Sequence, residues 1–313
     1  MIREEKLISI VIPAFNEEQN IIALYNELIS VLQKISFRYE IIFVDDGSRD
    51  NTFNEIKKIA EKDKCVSGIS LSRNFGHQVA IMAGLQQAKG DLVIMMDADL
   101  QHPPDAIPLM IEEQEKGFDI VNTKRIDAKG TALTKKTTSK LFYNLLNKLS
   151  DVRIEPAAAD FRLMTRKAVD AFLRLEERDR FTRGLISWMG FKQTVIEYQA
   201  SARFAGKSKY TVKKMFRFGM DGITSFSSKP LRVSFYIGFI VFLIGLAYSV
   251  YAIIEYILNK TVPGWTSMLV SVLIIGGIQL LSIGIVGEYI ARIFNEAKRR
   301  PLYFVKDRTI SEE

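Results

Sequence analysis

Cysteine and histidine are nearly missing from the 313-residue sequence, which has one cysteine, Cys65, and two histidines, His77 and His102. A single thiol excludes an internal disulfide framework and a cysteine-rich zinc site. Two histidines so far apart do not make a zinc triad. The glycine patterns of the common phosphate cradles are missing too. No G-x-G-x-x-G follows the first apolar run and no G-x-x-x-x-G-K-[ST] occurs, which counts against dinucleotide and P-loop sites. Phosphate charge must then be met by a metal and by basic side chains. No apolar signal core lies ahead of Leu7, so the N-terminal portion is expected to stay in the cytoplasm.

Charge is missing from two long stretches, Val233 to Ile254 and Thr261 to Gly287. A bilayer core of about 30 Å needs roughly 20 helical residues, and both stretches reach that length. A turn around Pro263-Gly264-Trp265 joins them, so the pair reads as a transmembrane hairpin. Lys207, Lys209, Lys213, Lys214, Arg217, Lys229 and Arg232 precede it; Arg292, Lys298, Arg299, Arg300, Lys306 and Arg308 follow it. The connecting loop offers only Lys260. The positive-inside rule therefore assigns both flanks to the cytoplasm. Between Ser208 and Ser228, aromatic and basic residues are interspersed, as in helices lying in the headgroup region. The net charge of +7 suits an anionic partner, but its excess sits beside the spans. That placement makes a membrane surface a better partner than nucleic acid.

The remaining N-terminal part mixes charge and hydrophobe. Strand-like runs at Leu7–Ile12, Glu40–Val44, Val66–Leu71, Asp91–Met96 and Asp119–Thr123 alternate with helix-like runs at Glu17–Leu32, Thr52–Lys62, His77–Ala88 and Ala106–Lys116. Such an order predicts an α/β fold with a mostly parallel, Rossmann-like sheet flanked by helices. The expected organisation is a cytoplasmic domain over 1–203, an amphipathic juxtamembrane segment over 204–232, two spans over 233–290 and a basic cytoplasmic tail over 291–313.

Ligands of parallel sheets gather at the carboxyl ends of the strands, and the acidic residues fall there. The first strand ends at Pro13-Ala14-Phe15-Asn16-Glu17, the second at Asp45-Asp46-Gly47-Ser48, and the fourth at Asp97-Ala98-Asp99-Leu100-Gln101. In an extended segment residues i and i+2 point the same way, so Asp97 and Asp99 can face one cation. Their hard oxygens suit Mg²⁺ or Mn²⁺, with a diphosphate completing the shell. Gln101 adds a neutral oxygen. Ser48 or Asp50 is equally suited to capping the next helix.

Taken together, Ile10-Val11-Ile12-Pro13-Ala14-Phe15-Asn16-Glu17-Glu18, Val44-Asp45-Asp46-Gly47-Ser48 and Asp97-Ala98-Asp99-Leu100-Gln101-His102-Pro103-Pro104 resemble family 2 glycosyltransferases of the GT-A fold. The last string is like the dolichyl-phosphate mannose synthase branch. With the hairpin and Ala159-Asp160-Phe161-Arg162-Leu163, the whole is similar to the bacterial polyprenyl-phosphate glycosyltransferases, bactoprenol glucosyltransferases among them.

The resemblance implies an inverting, metal-dependent hexosyl transfer from a nucleotide sugar to a polyprenyl phosphate. UDP-glucose is the first expectation for the donor and GDP-mannose the second. It also implies Pro13, Phe15, Glu17, Asp45, Asp46, Asp97 and Ala98 at the nucleotide sugar, and Asp97, Asp99 and Gln101 at the metal. Arg125, Arg203, Lys207 and Lys209 fall at the phosphates, with Asp99 and Asp160 in catalysis. Asp160 resembles the base position of inverting relatives. A phosphate acceptor, however, has a second pKa of about 6 and needs no base. Asp160 then orients the sugar or completes the charge pattern.

Processive polysaccharide synthases share the nucleotide half but carry Q-x-x-R-W and more spans, and neither occurs here. A non-catalytic membrane adaptor is the remaining rival, against which intact Asp97, Asp99 and Gln101 argue. Gly238, Gly245, Gly276 and Gly277 leave room for homo-oligomer packing between spans.

Overall fold

The computed structural model of the chain describes residues 6–126, 158–178, 182–199, 227–258 and 264–309. At its centre lies β1 (Leu7–Ala14), with β2 (Arg38–Asp45) and β4 (Leu92–Met95) paired parallel on either side. Side chains alternate between faces along a strand. Ile8, Ile10 and Ile12 of β1 accordingly enter one apolar core and Val11 the other. The first core is covered by α1 (Ile21–Leu32), α2 (Thr52–Ala60) and α4 (Ala106–Glu115). The second is covered by α3 (His77–Gln87), α5 (Arg166–Leu173) and α6 (Thr182–Trp188). Helix α3 comes so close to β1 that a Cβ on Gly84 would lie 2.3 Å from Val11 Cγ1. Only glycine permits that approach.

The remaining strands are β3 (Val66–Leu71), β5 (Ile120–Ile126), β6 (Ala158–Thr165), β7 (Gln193–Gln199) and β8 (Val305–Arg308), giving the order β7-β5-β6-β4-β1-β2-β3-β8. Strand β6 runs antiparallel between β4 and β5, and β8 runs antiparallel along β3; the other pairings are parallel. The mixed α/β sheet with helices on both faces is the architecture the βαβα pattern predicts. Boundaries moved where turn chemistry intervened. β1 runs on through Pro13, which costs little at a strand end, and α1 starts only at Ile21, leaving Glu17 in the loop.

After β7 the described chain resumes in two long helices, α7 (Lys229–Ile257) and α8 (Trp265–Ala297). Within them Lys229–Tyr248 and Ile274–Ala297 are long and apolar enough to cross a membrane. Among the described residues, large side chains of these helices face outward, Phe235 being 69 % and Leu280 72 % exposed. At 1.5 Å per residue α8 is about 50 Å long, well beyond a hydrocarbon core of roughly 30 Å.

Part of the segment expected as a basic tail joins the sheet. Beyond α8, β8 pairs with β3. Ser72 N–H donates to Phe304 O at 2.8 Å and Gly68 N–H to Thr309 Oγ1 at 2.8 Å. Lys57 Nζ meets Asp307 at 2.6 Å, and Arg178 N–H donates to Glu296 Oε1 at 2.7 Å. The chain therefore leaves the sheet, forms the apolar hairpin and returns to the same sheet.

Candidate active site

The loops after β1 and β2 are joined by cross-loop hydrogen bonds. Asn16 N–H donates to Ser48 Oγ and Arg49 N–H to Asn16 Oδ1, both at 2.9 Å. Glu17 N–H donates to Thr52 Oγ1 and Asn51 N–H to Glu18 Oε2, again at 2.9 Å. Asn16 has φ +56°, a left-handed conformation that asparagine tolerates better than most residues. Of the two expected capping residues, Asp50 accepts the Thr52 N–H at 3.1 Å, whereas Ser48 serves Asn16. Phe15 and Glu17 lie in this rim, half-buried, while Pro13 is buried. Glu17 also accepts from Asn20 Nδ2.

Asp45 and Asp46 are each 2 % exposed. Asp45 accepts the Ser48 N–H at 2.9 Å and the Ser70 hydroxyl at 2.7 Å. Asp46 accepts the Phe75 N–H at 2.7 Å and the Gly76 N–H at 2.9 Å. Burial pushes the Asp46 carboxyl up from its ordinary pKa, and these two amides pull against that shift. The Arg73-Asn74-Phe75-Gly76 turn thus holds Asp46 at the entrance to α3. Gly47, at φ +67°, lies so close to this turn that a Cβ would sit 2.4 Å from the Arg73 carbonyl carbon.

The loop after β4 is shaped from beneath. His102 Nδ1 accepts the Asp97 N–H at 3.0 Å, which leaves the ring proton on Nε2. The ring stacks on Phe161 with centroids 5.1 Å apart and meets the edge of Tyr198 at 6.0 Å. Leu100 is buried at φ +60°, unusual for a side chain of its size. That turn brings Gln101 N–H to Asp99 Oδ1 at 3.1 Å, while Gln101 Oε1 accepts from Arg125 Nη1 at 3.4 Å. Arg125 lies inside β5 rather than beyond it. Ala98 is buried beneath the two acids.

Asp97 Oδ1 is buried and accepts no hydrogen bond; its near neighbour is His77 Nε2 at 3.4 Å. A buried carboxylate oxygen left without a hydrogen bond is costly. Bound to a cation it would not be. Asp97, Asp99 and Gln101 therefore fit a hard divalent ion by donor chemistry. Among the described residues no group of three His, Cys, Asp or Glu side chains forms a closed metal shell. Such a partial shell suits Mg²⁺ or Mn²⁺ shared with a phosphate-bearing ligand.

Asp160, near the start of β6, accepts from Arg183 Nε at 3.2 Å on Oδ1 and from Arg183 Nη2 at 3.3 Å on Oδ2. Arg162 Nη2 donates to Oδ1 at 3.3 Å, and His77 Nε2 lies 3.7 Å from Oδ2. Burial alone would raise the Asp160 pKa. Arg183, Arg162 and His77 outweigh it and hold the carboxyl well below the usual carboxylate range. Arg162 is among the largest fully buried side chains. Burial lowers its pKa to about 10, and Asp160 opposes that shift.

The structure thus brings Asp97, Asp99, Gln101, Arg125 and Asp160 to one edge of the sheet, with Asp45 and Asp46 buried beside them. Arg203, Lys207 and Lys209 lie outside the described residues. Sequence reasoning missed Arg183 and gave His77 no role. Arg183 reaches Asp160 from 23 residues away and His77 from 83, contacts that leave no local pattern.

The pattern described as Glycosyl transferase family 2 matches residues 9–173, and that of the GtrB C-terminal hairpin matches residues 229–293. A bactoprenol glucosyl transferase of Shigella phage SfV is 42 % identical over 301 residues, covering 96 % of this chain and 98 % of its own. An uncharacterised glycosyltransferase of Synechocystis sp. is also 42 % identical, over 96 % of this chain and 95 % of its own. Among solved structures, a mannosyltransferase from Pyrobaculum calidifontis in complex with GDP-Man and Mn²⁺ aligns with a TM-score of 0.48 at 18 % identity. That alignment covers 69 % of this chain and 61 % of the other. The chain belongs to glycosyl transferase family 2, with a C-terminal hairpin of the GtrB type.

Proposed function

We propose that the protein transfers glucose from UDP-glucose, with inversion, to a polyprenyl phosphate such as undecaprenyl phosphate, giving a lipid-linked monosaccharide. The observation that carries this reading is the near full-length likeness to the phage bactoprenol glucosyl transferases, 42 % over 96 % of the chain. The open carboxylate edge around Asp97 supports it with a site suited to a nucleoside diphosphate.

In this reading an acceptor phosphate oxygen attacks the anomeric carbon of glucose. The bond from that carbon to the diphosphate breaks, and UDP leaves with the electron pair. No proton has to be removed, because a phosphate monoester is largely dianionic above its second pKa of about 6. Asp160 is suited to that chemistry as a fixed charge, since a carboxylate of strongly depressed pKa is a weak general base. Asp97, Asp99 and Gln101 would hold Mg²⁺ or Mn²⁺, which when bound supplies Lewis-acid stabilisation to the departing diphosphate.

Pro13, Phe15, Glu17, Asp45 and Asp46 frame the base and ribose, the buried acids by holding the loops in place. Arg125 and, further along the chain, Arg203, Lys207 and Lys209 offset the repulsion between the two phosphate groups. The catalytic domain and both flanks of the hairpin face the cytoplasm. The pairing of β8 with β3 supports placing both flanks on one side, since residues beyond the hairpin share a sheet with those before it and an even number of crossings is required. The basic flanks favour the cytoplasmic side.

The test is incubation of the purified chain with undecaprenyl phosphate, a divalent cation and a panel of radiolabelled nucleotide sugars. Label from UDP-glucose is expected in the lipid extract and is abolished by chelation. Label from GDP-mannose alone overturns the donor assignment, and no lipid label from any donor overturns the function.

A further inference from the structure

Arg162, Arg183 and His77 reach the single carboxylate of Asp160 from β6, α6 and α3, and they do so unequally. Arg162 is 2 % exposed and touches one oxygen, Oδ1 at 3.3 Å. It is a buried charge, for which Asp160 is a counterion. Arg183, on the open side, engages both oxygens at 3.2 and 3.3 Å. One contact neutralises a carboxylate, whereas two contacts from a planar guanidinium also fix the plane of the carboxyl group. His77 lies between the two acidic groups, 3.7 Å from Asp160 Oδ2 and 3.4 Å from Asp97 Oδ1. The carboxylate that Arg183 orients therefore sits one histidine away from the loop assigned to the sugar diphosphate. Charge balance in the core does not explain the second arginine, since Arg162 already has its counterion.

We propose that Arg183 is a positioning residue of the transfer reaction, clamping the Asp160 carboxylate beside the Asp97 loop so that it accepts a hydrogen bond from a hydroxyl of the donor sugar. The inference rests on the glycosyl-transfer reading. A carboxylate free to rotate about its Cβ–Cγ bond would spend most of its time misaligned. Misplacement of that kind costs turnover more than donor affinity, because the diphosphate and nucleoside supply most of the binding. Lysine cannot substitute, having a single point charge where the fork makes two parallel contacts.

The experiment uses the full-length purified chain with undecaprenyl phosphate and the labelled donor that the wild type transfers. It compares wild type with Arg183→Gln, Arg183→Lys, Asp160→Asn and the double variant Asp160→Asn/Arg183→Gln. Arg183→Gln is expected to lower kcat on the order of 10²-fold while donor KM stays within about threefold. Arg183→Lys should recover less than about a tenth of the lost turnover, and the double variant should be no worse than Asp160→Asn alone, as residues acting through one another are non-additive. Thermal melting of each variant identifies loss of fold; should Arg183→Gln not fold, the same split in kcat and KM is read from Arg183→Lys. Turnover of Arg183→Gln within about threefold of wild type, or losses that multiply in the double variant, overturns the clamp. Wild-type protein that labels no lipid overturns the transfer reading and the clamp with it, a result distinct from an active wild type with an active Arg183→Gln.

Discussion

Two acidic pairs end the strands on either side of β1, and they have opposite fates. Asp45 and Asp46 turn inward, and every carboxylate oxygen accepts a hydrogen bond from a backbone amide or a hydroxyl. The pair after β4 is arranged differently. Asp99 accepts the Gln101 N–H, and Asp97 keeps a buried oxygen that accepts no hydrogen bond. Satisfied carboxylates organise loops, and an unsatisfied one at a strand end is a place for a ligand. In sequence both pairs looked like nucleotide or metal residues. Their hydrogen-bond partners separate a fully satisfied pair from one with an acceptor to spare.

Substitutions at the two pairs should therefore fail in different assays. The largest effect is expected from Asp97→Ala combined with Asp99→Ala. Loss of several kcal/mol of charge stabilisation corresponds to a fall of about 10²–10³-fold or more in lipid labelling. The melting temperature of that variant should hardly move, and a large drop would place the pair with the scaffold instead. Next in size is Asp46→Ala, which strands the buried amides of Phe75 and Gly76 and should cost about 2–4 kcal/mol in denaturant unfolding. Wild-type stability in this variant would break the contrast.

Gly47→Ala tests the same scaffold from the backbone side. A left-handed position pressed against Arg73 should lose about 1–3 kcal/mol, seen as a lower melting temperature with donor KM raised in parallel. The smallest effect belongs to the exposed ion pair between Lys57 and Asp307. Lys57→Ala should cost less than about 1 kcal/mol, and the difference should shrink in high salt. A larger loss would mean that the strap formed by β8 depends on that pair rather than on its backbone pairing with β3.

The hairpin offers a second view of the same lesson. Ile10 in β1 is fully buried and Leu280 in α8 is 72 % exposed, yet both belong to charge-free runs. Period and length separated them in advance, since a strand reads with period two and a span needs roughly 20 apolar residues. The short run packs between helices. The long one calls for a different solvent.

The order of strands and helices, the strand ends that carry Asp45, Asp97 and Asp99, and the two apolar spans were legible in the sequence, because each depends on neighbours a few residues away. Periodicity, turn residues and uninterrupted hydrophobicity are local properties. The clamp of Arg183 on Asp160, the approach of His77 to Asp97 and the return of β8 to β3 were decided by tertiary structure. They join residues 20 to nearly 240 positions apart. Contacts of that range are set by how packed elements meet, and no single stretch of chain records them.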